Sequence, residues 1–248
     1  LALAVPPGEE GAKQQIEKSP RHAEYVDVPV SEGKTVRAYV VYPEVKDKAP
    51  VVIVIHEIFG LTDWEPTVAD QLASKGYIAI APDMLSSRFG PSPASPDSGR
   101  KLMALLQPDG ITADLDAAFN YLESMPSVKS GRIGAIGFCW GGGQTFRYAT
   151  NNPNLKAAVV CYGPAPDTTA LSRITAPVLG IYGENDARIN SMLPTVGRVM
   201  KSLGKQFTAD SYPGTGHGFL KPGRRGYDTD QPAKAWAEIE KFLKTHLQ

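Results

Sequence analysis

Cys139 stands between Gly137 and Gly141 in the run IGAIGFCWGGG (133–143), an apolar segment that ends in a glycine cluster. G-x-C-x-G is the pattern of a nucleophile elbow with a thiol in place of the hydroxyl. A sharp strand-to-helix bend would lift the sulfur out of a sheet, and glycines leave room beside it. A helix opening at Trp140–Gly142 would set its positive end beneath the sulfur and favour thiolate over thiol. Taken alone, the pattern also fits a tight structural turn. It lacks the Lys-Ser/Thr ending of a P-loop, and its glycines do not follow the dinucleotide spacing.

A thiol nucleophile needs a base, and the base needs an orienting carboxylate. His217 lies in GTGHGF and Asp186 in GENDARIN, where Glu184 is a nearby rival. Nucleophile, acid, histidine is the chain order of the α/β-hydrolase triad. Glu57 directly follows the run VVIVIH (51–56), whose His56 reads as structural. These four side chains could instead ligate a metal, but the chain has no close-spaced His/Cys pair of the zinc kind. No metal and no cofactor are expected. Cys161, inside the apolar run AAVVCYG, reads as a small buried hydrophobe.

The elements that must position these groups follow from the apolar rhythm. EYVDVPV (24–30) and TVRAYVVYP (35–43) predict an antiparallel hairpin across SEGK. VVIVIHE (51–57), YIAIAPD (77–83), RIGAIGF (132–138), KAAVVCYG (156–163) and PVLGIYG (177–183) are continuous apolar runs, expected of strands covered on both faces. QFTADSYP (206–213) predicts a last strand. Helices are expected near 65–75 (Asp63 as cap), 112–125, 142–151, 190–203 and 231–247. Strands alternating with helices give an α/β fold: one domain over 24–248, a mostly parallel central sheet and helices on both faces. Chemistry in such sheets collects at the carboxyl ends of strands. Glu57, Cys139, Asp186 and His217 all stand there.

Residues 1–23 are expected to form a loose, irregular arm. Its opening LALAVPP matches the tail of a secretory signal as well as an added segment, so cytoplasmic and periplasmic or secreted locations both stay open. The 248 residues carry 26 basic and 26 acidic side chains, a balance that singles out neither nucleic acid nor an anionic membrane as partner. No apolar run approaches the ~18–20 residues of a bilayer span. The partner is a small molecule, and the choice between monomer and dimer is open.

The chain resembles the dienelactone hydrolase family, an α/β-hydrolase branch with a Cys-His-Asp triad. HEIFGL (56–61), APDML (81–85), GFCWGG (137–142), GENDARI (183–189) and GHGF (216–219) carry the resemblance. It implies Cys139 as nucleophile, Asp186 and His217 as its partners, and the backbone N–H groups of Ile58 and Trp140 as oxyanion hole. It implies that Glu57 contacts the resting thiol and helps form the thiolate when substrate arrives. Family members grip a substrate carboxylate with two arginines. Here Arg88 lies near the first expected place and Lys221 occupies the second, with Arg224 and Arg225 close by. A lysine keeps the charge and loses the bidentate fork.

The resemblance and the chemistry of sulfur point to one substrate class. A thiol has a free pKa of about 8.5, far below that of an alcohol. A tetrahedral intermediate therefore expels thiolate in preference to alkoxide, and only an enol, phenol or thiol leaving group carries the reaction forward. Activated carboxylic esters and enol-lactones such as dienelactone meet that condition, through a thioester on Cys139. General carboxylesterase, thioesterase or phosphotriesterase activity, and a non-catalytic binding relative, are the alternatives. The proline-rich loop at 90–97 is expected to form a rim of the cleft.

Overall fold

The computed structural model describes residues 5–31, 33–224 and 230–248. Its elements run α1 (Glu9–Lys18), β1 (Ala23–Ser31), β2 (Lys34–Val41), β3 (Ala49–Ile55), α2 (Trp64–Ala73), β4 (Ile78–Pro82), α3 (Ser86–Phe89), α4 (Pro96–Met103), α5 (Pro108–Ser124), β5 (Val128–Phe138), α6 (Trp140–Asn151), β6 (Ala157–Cys161), a 3-10 turn, β7 (Val178–Gly183), α7 (Ala187–Asn190), α8 (Leu193–Ser202), β8 (Phe207–Tyr212) and α9 (Asp230–Leu247). The strands form one sheet in the order β1-β2-β4-β3-β5-β6-β7-β8. β1 pairs antiparallel with β2, and β2 with β4; every other pair is parallel.

The unbroken apolar runs have the expected cause. β3, β4, β6 and β7 are buried at every position. Val51, Ile53 and Ile55 of β3 pack on one face with Leu115 and Phe119 of α5 and Phe146 of α6. Val52 and Val54 pack on the other with Val68 and Leu72 of α2 and Trp236 and Ile239 of α9. Two stacked cores on one sheet leave no polar face on these strands, which is why their sequences do not alternate.

Three local expectations change. The arm is not irregular: α1 lies within it and packs on α2, with Ala12 wholly buried. Asp63 makes no side-chain cap to α2; the Glu65 carboxylate instead reaches back to accept from the Thr62 N–H and hydroxyl. α5 begins at Pro108, four residues earlier than the apolar stripe suggests, because proline's fixed φ suits a first turn. The segment 84–99 folds into α3 and the start of α4, and Ser92 Oγ there accepts from the Leu61 N–H at 2.9 Å.

Candidate active site

Cys139 joins β5 to α6 with φ 55° and ψ −113°, a left-handed conformation that a non-glycine residue holds only when its surroundings enforce it. The glycines permit the crossing. A Cβ on Gly137 would lie 2.1 Å from the Gly141 carbonyl oxygen, and one on Gly141 would lie 2.2 Å from that of Ile55. The Cys139 N–H donates to the Cys161 carbonyl at 3.0 Å, so the neighbouring strand fixes the bend.

The sulfur is nevertheless a thiol at rest. Burial first, and the Glu57 carboxylate second, push its pKa up to about 11. The Trp140 N–H that hydrogen-bonds the sulfur, with Arg224 and Arg188 behind it, pulls the other way and loses. This reverses the expectation that the start of α6 would favour thiolate. The opposing effects are desolvation and a like charge, neither of which a motif displays.

His217 and Asp186 meet: His217 Nδ1 lies 2.5 Å from Asp186 Oδ2. The imidazole is part-exposed and the carboxylate nearly buried. Glu184, the rival carboxylate, accepts from the Gly214 N–H at 2.9 Å and serves the histidine loop from outside. Asn185 N–H donates to the Thr215 carbonyl at 2.8 Å, so the loops after β7 and β8 are stitched together beneath the pair. The Tyr162 ring packs edge-on against His217, centroids 5.2 Å apart. Tyr162 itself has φ 41° and a buried hydroxyl without a hydrogen-bond partner among the described residues. Its type and place in CYG gave no signal, since only the fold brings β6 beside the histidine loop.

The loop 57–62 is held from three sides. Glu65 accepts from the Glu57 N–H at 3.2 Å and from Thr62. Gly99 of α4 lies so close to the Phe59 carbonyl that a Cβ there would sit 2.0 Å from the oxygen. His56, wholly buried, accepts from the Met84 N–H at 3.1 Å through Nε2, so its Nδ1 carries the proton it donates to the Glu57 carbonyl at 2.7 Å. Burial lowers its pKa and keeps it neutral. Ile58 follows Glu57 on this loop and packs half-buried on the core. Glu65 is a residue sequence reading missed, taken only as the start of the helix expected over 65–75. Burial pushes its pKa up to about 7.

The cations are placed differently from expectation. Arg88 Nη1 pairs with the buried Asp114 at 2.7 Å and with Ser87 Oγ, so its guanidinium is committed to α5 rather than presented as a free anion receptor. Lys221 is buried, 3.2 Å from Glu57 and 2.5 Å from Glu9. Arg224 instead is half-exposed: Nη2 donates to Glu57 at 2.7 Å, and its Cζ lies 5.4 Å from the centroid of the Phe59 ring. Arg225 lies outside the described residues. Among the described residues no group of three or more His, Cys, Asp or Glu side chains is disposed to hold a metal, and no helix is long and apolar enough to cross a membrane.

A mostly parallel sheet carrying a cysteine at a glycine-flanked elbow, with a bonded His–carboxylate pair supplied by later strands, defines an α/β-hydrolase. The model of the dienelactone hydrolase family matches residues 36–247, and the chain belongs to that family; it is a carboxylic ester hydrolase. A relative from Salmonella typhimurium (strain LT2), named "Putative carboxymethylenebutenolidase", is 34% identical over 226 residues, covering 84% of this chain and 82% of its own. A Bradyrhizobium relative named "Probable 2-oxo-3-(5-oxofuran-2-ylidene)propanoate lactonase" is 29% identical over 90% of this chain and 94% of its own. The crystal structure of the Klebsiella pneumoniae protein titled "Putative Dienelactone Hydrolase" superposes with a TM-score of 0.82 at 29% identity, over 91% of this chain and 99% of that one.

Proposed function

We propose that the protein hydrolyses activated carboxylic esters and enol-lactones of the dienelactone kind through a thioester on Cys139. The observation that carries this is the strained, glycine-flanked Cys139 with Glu57 and the Trp140 N–H acting on its sulfur. Glu57, whose charge opposes the thiolate, is the base that takes the thiol proton. The thiolate attacks the carbonyl carbon, and the carbonyl electron pair moves to oxygen. The Trp140 and Ile58 N–H groups hold that oxyanion, roughly 3–4 kcal/mol per donor in comparable sites. Collapse expels the enolate and leaves the thioester. His217, oriented by Asp186, takes a proton from water; the hydroxide attacks the thioester carbonyl, the thiolate departs and recovers its proton from Glu57, and the proton on His217 passes to the enolate.

The geometry supports Arg224 as the cation that receives a substrate carboxylate, in place of Arg88 and Lys221. Its guanidinium is part-exposed, planar and bonded to Glu57. A carboxylate that takes up Arg224 leaves Glu57 with one cation fewer, which makes it a stronger base for the Cys139 proton. Comparing kcat/KM for cis-dienelactone with that for p-nitrophenyl acetate tests this reading. A preference for the lactone agrees with it; equal or better use of the neutral ester removes the carboxylate-binding step. Turnover by Cys139→Ala would remove the thioester itself.

A further inference from the structure

The family model begins at residue 36, yet a residue well before it reaches the active-site charges. Glu9 opens α1, and its Oε2 lies 2.5 Å from Lys221 Nζ. The same ammonium is 3.2 Å from Glu57 Oε2 and 4.9 Å from the centroid of the Trp64 ring. The arm is anchored at both ends. At its start, a Cβ on Gly8 would lie 2.8 Å from the Pro222 carbonyl oxygen, so the chain crosses directly over the turn that follows Lys221. At its end, Arg21 forks onto Asp70 of α2 at 2.8 and 2.7 Å, and Ser19 Oγ donates to the same carboxylate.

We propose that Glu9 is a positioning residue of the active site: α1 delivers a carboxylate that shares Lys221 with Glu57 and thereby leaves the Glu57 charge less neutralised where it faces Cys139 and Arg224. The physical reason is charge balance in a confined space. Lys221 and Arg224 are the cations there; Glu9, Glu57 and Glu65 are the carboxyls. Burial pushes the pKa of Glu65 on α2 up to about 7, so below that pH two carboxylates face two cations, and above it Glu65 adds a third charge and the competition for Lys221 is sharper. Lys221 feels Glu57, Glu65 and Glu9, and Glu65 in turn feels Glu9, so the half-exposed Glu9 acts within the cluster. Take away the charge on Glu9 and Glu57 is left alone between two cations. It becomes a weaker base, and the thiolate of Cys139 is repelled less. Arg188 also acts on the sulfur, and His217 pairs with Asp186; Glu9 bonds to neither.

The proposal rests on Cys139 being the reactive thiol, and alkylation tests both parts separately. The protein is treated with iodoacetamide across pH 7–12, a range that brackets the Cys139 pKa of about 11, and labelling of Cys139 and Cys161 is followed by peptide mass spectrometry. Glu9→Gln is expected to move the Cys139 midpoint down by roughly half a pH unit, the size that a half-exposed charge partner supplies. Glu9→Asp, which keeps the charge, is expected to return it toward the parent value. Glu10→Gln, on the adjacent exposed position, is expected to leave it in place. An unmoved or raised midpoint in Glu9→Gln, with or without a lower Tm, overturns the proposal and makes Glu9 an anchor only. An equal shift in Glu10→Gln overturns it as well, since a general surface field would then suffice. Labelling of Cys161 ahead of Cys139 would sink the reading of the site and this proposal with it.

Discussion

Arg224 Nη2 donates to Glu57 Oε2 at 2.7 Å, and the same carboxylate oxygen accepts from Lys221 at 3.2 Å. One buried carboxylate is thus gripped by two cations of different reach. The lysine is enclosed, whereas the guanidinium is part-exposed. Arg224→Gln is expected to lower kcat/KM for cis-dienelactone by about 10- to 100-fold, the worth of one charged hydrogen bond, while changing that for p-nitrophenyl acetate far less. Equal losses on both substrates would show that the arginine serves only Glu57.

The two cysteines should separate cleanly. Cys139→Ala is expected to keep its Tm within a few degrees and lose turnover of both esters. Cys161→Ala should retain most activity, because its sulfur is wholly buried and serves only as core. Steady-state kinetics beside a thermal melt of each variant distinguishes them. Full activity in Cys139→Ala would end the thioester mechanism.

Removing the charge of Glu57 has a predictable sign at the sulfur. The Cys139 pKa stands at about 11 because of burial, with Glu57 adding to the rise. Glu57→Gln should therefore lower the midpoint of Cys139 alkylation and raise its labelling rate at pH 8, even as ester turnover falls for want of the base. A midpoint that stays put would mean that burial alone sets it.

Glu65 links the site to stability. Its folded pKa is raised, to about 7, above an ordinary value of 4.5. A carboxyl raised in this way stabilises the fold fully below 4.5, and that contribution is lost as pH climbs through 7. The Tm of Glu65→Gln, measured against the parent, should accordingly improve between pH 5 and pH 8. Its kcat should drop, because an amide cannot accept from both the Glu57 and Thr62 backbone groups that the carboxylate now serves. A Tm difference independent of pH would show that Glu65 does not titrate in that range.

Tyr162 offers a test of packing against bonding. Its hydroxyl is buried without a partner among the described residues, so Tyr162→Phe is expected to hold or slightly raise Tm. Tyr162→Ala removes the ring that lies 5.2 Å from His217 and 6.1 Å from Phe219, and should cost about 3–5 kcal/mol. Chemical denaturation of both variants provides the comparison. A large loss in Tyr162→Phe would reveal a hydrogen bond that the geometry does not display.

What the sequence determined by itself was local in origin. Continuous apolar runs named the central strands, because a strand covered on both faces has no polar side to advertise. The elbow around Cys139 was legible because a backbone crossing that tight admits no Cβ at Gly137 or Gly141. The places of Asp186 and His217 followed from strand ends and chain order. The tertiary structure decided everything that depends on distance between remote segments and on burial. It paired Arg88 with Asp114, gave Glu57 to Arg224 and Lys221, and folded Glu9 onto a lysine more than two hundred residues away. It also set the proton on Cys139, since desolvation and the Glu57 charge exist only once the chain is packed around the sulfur.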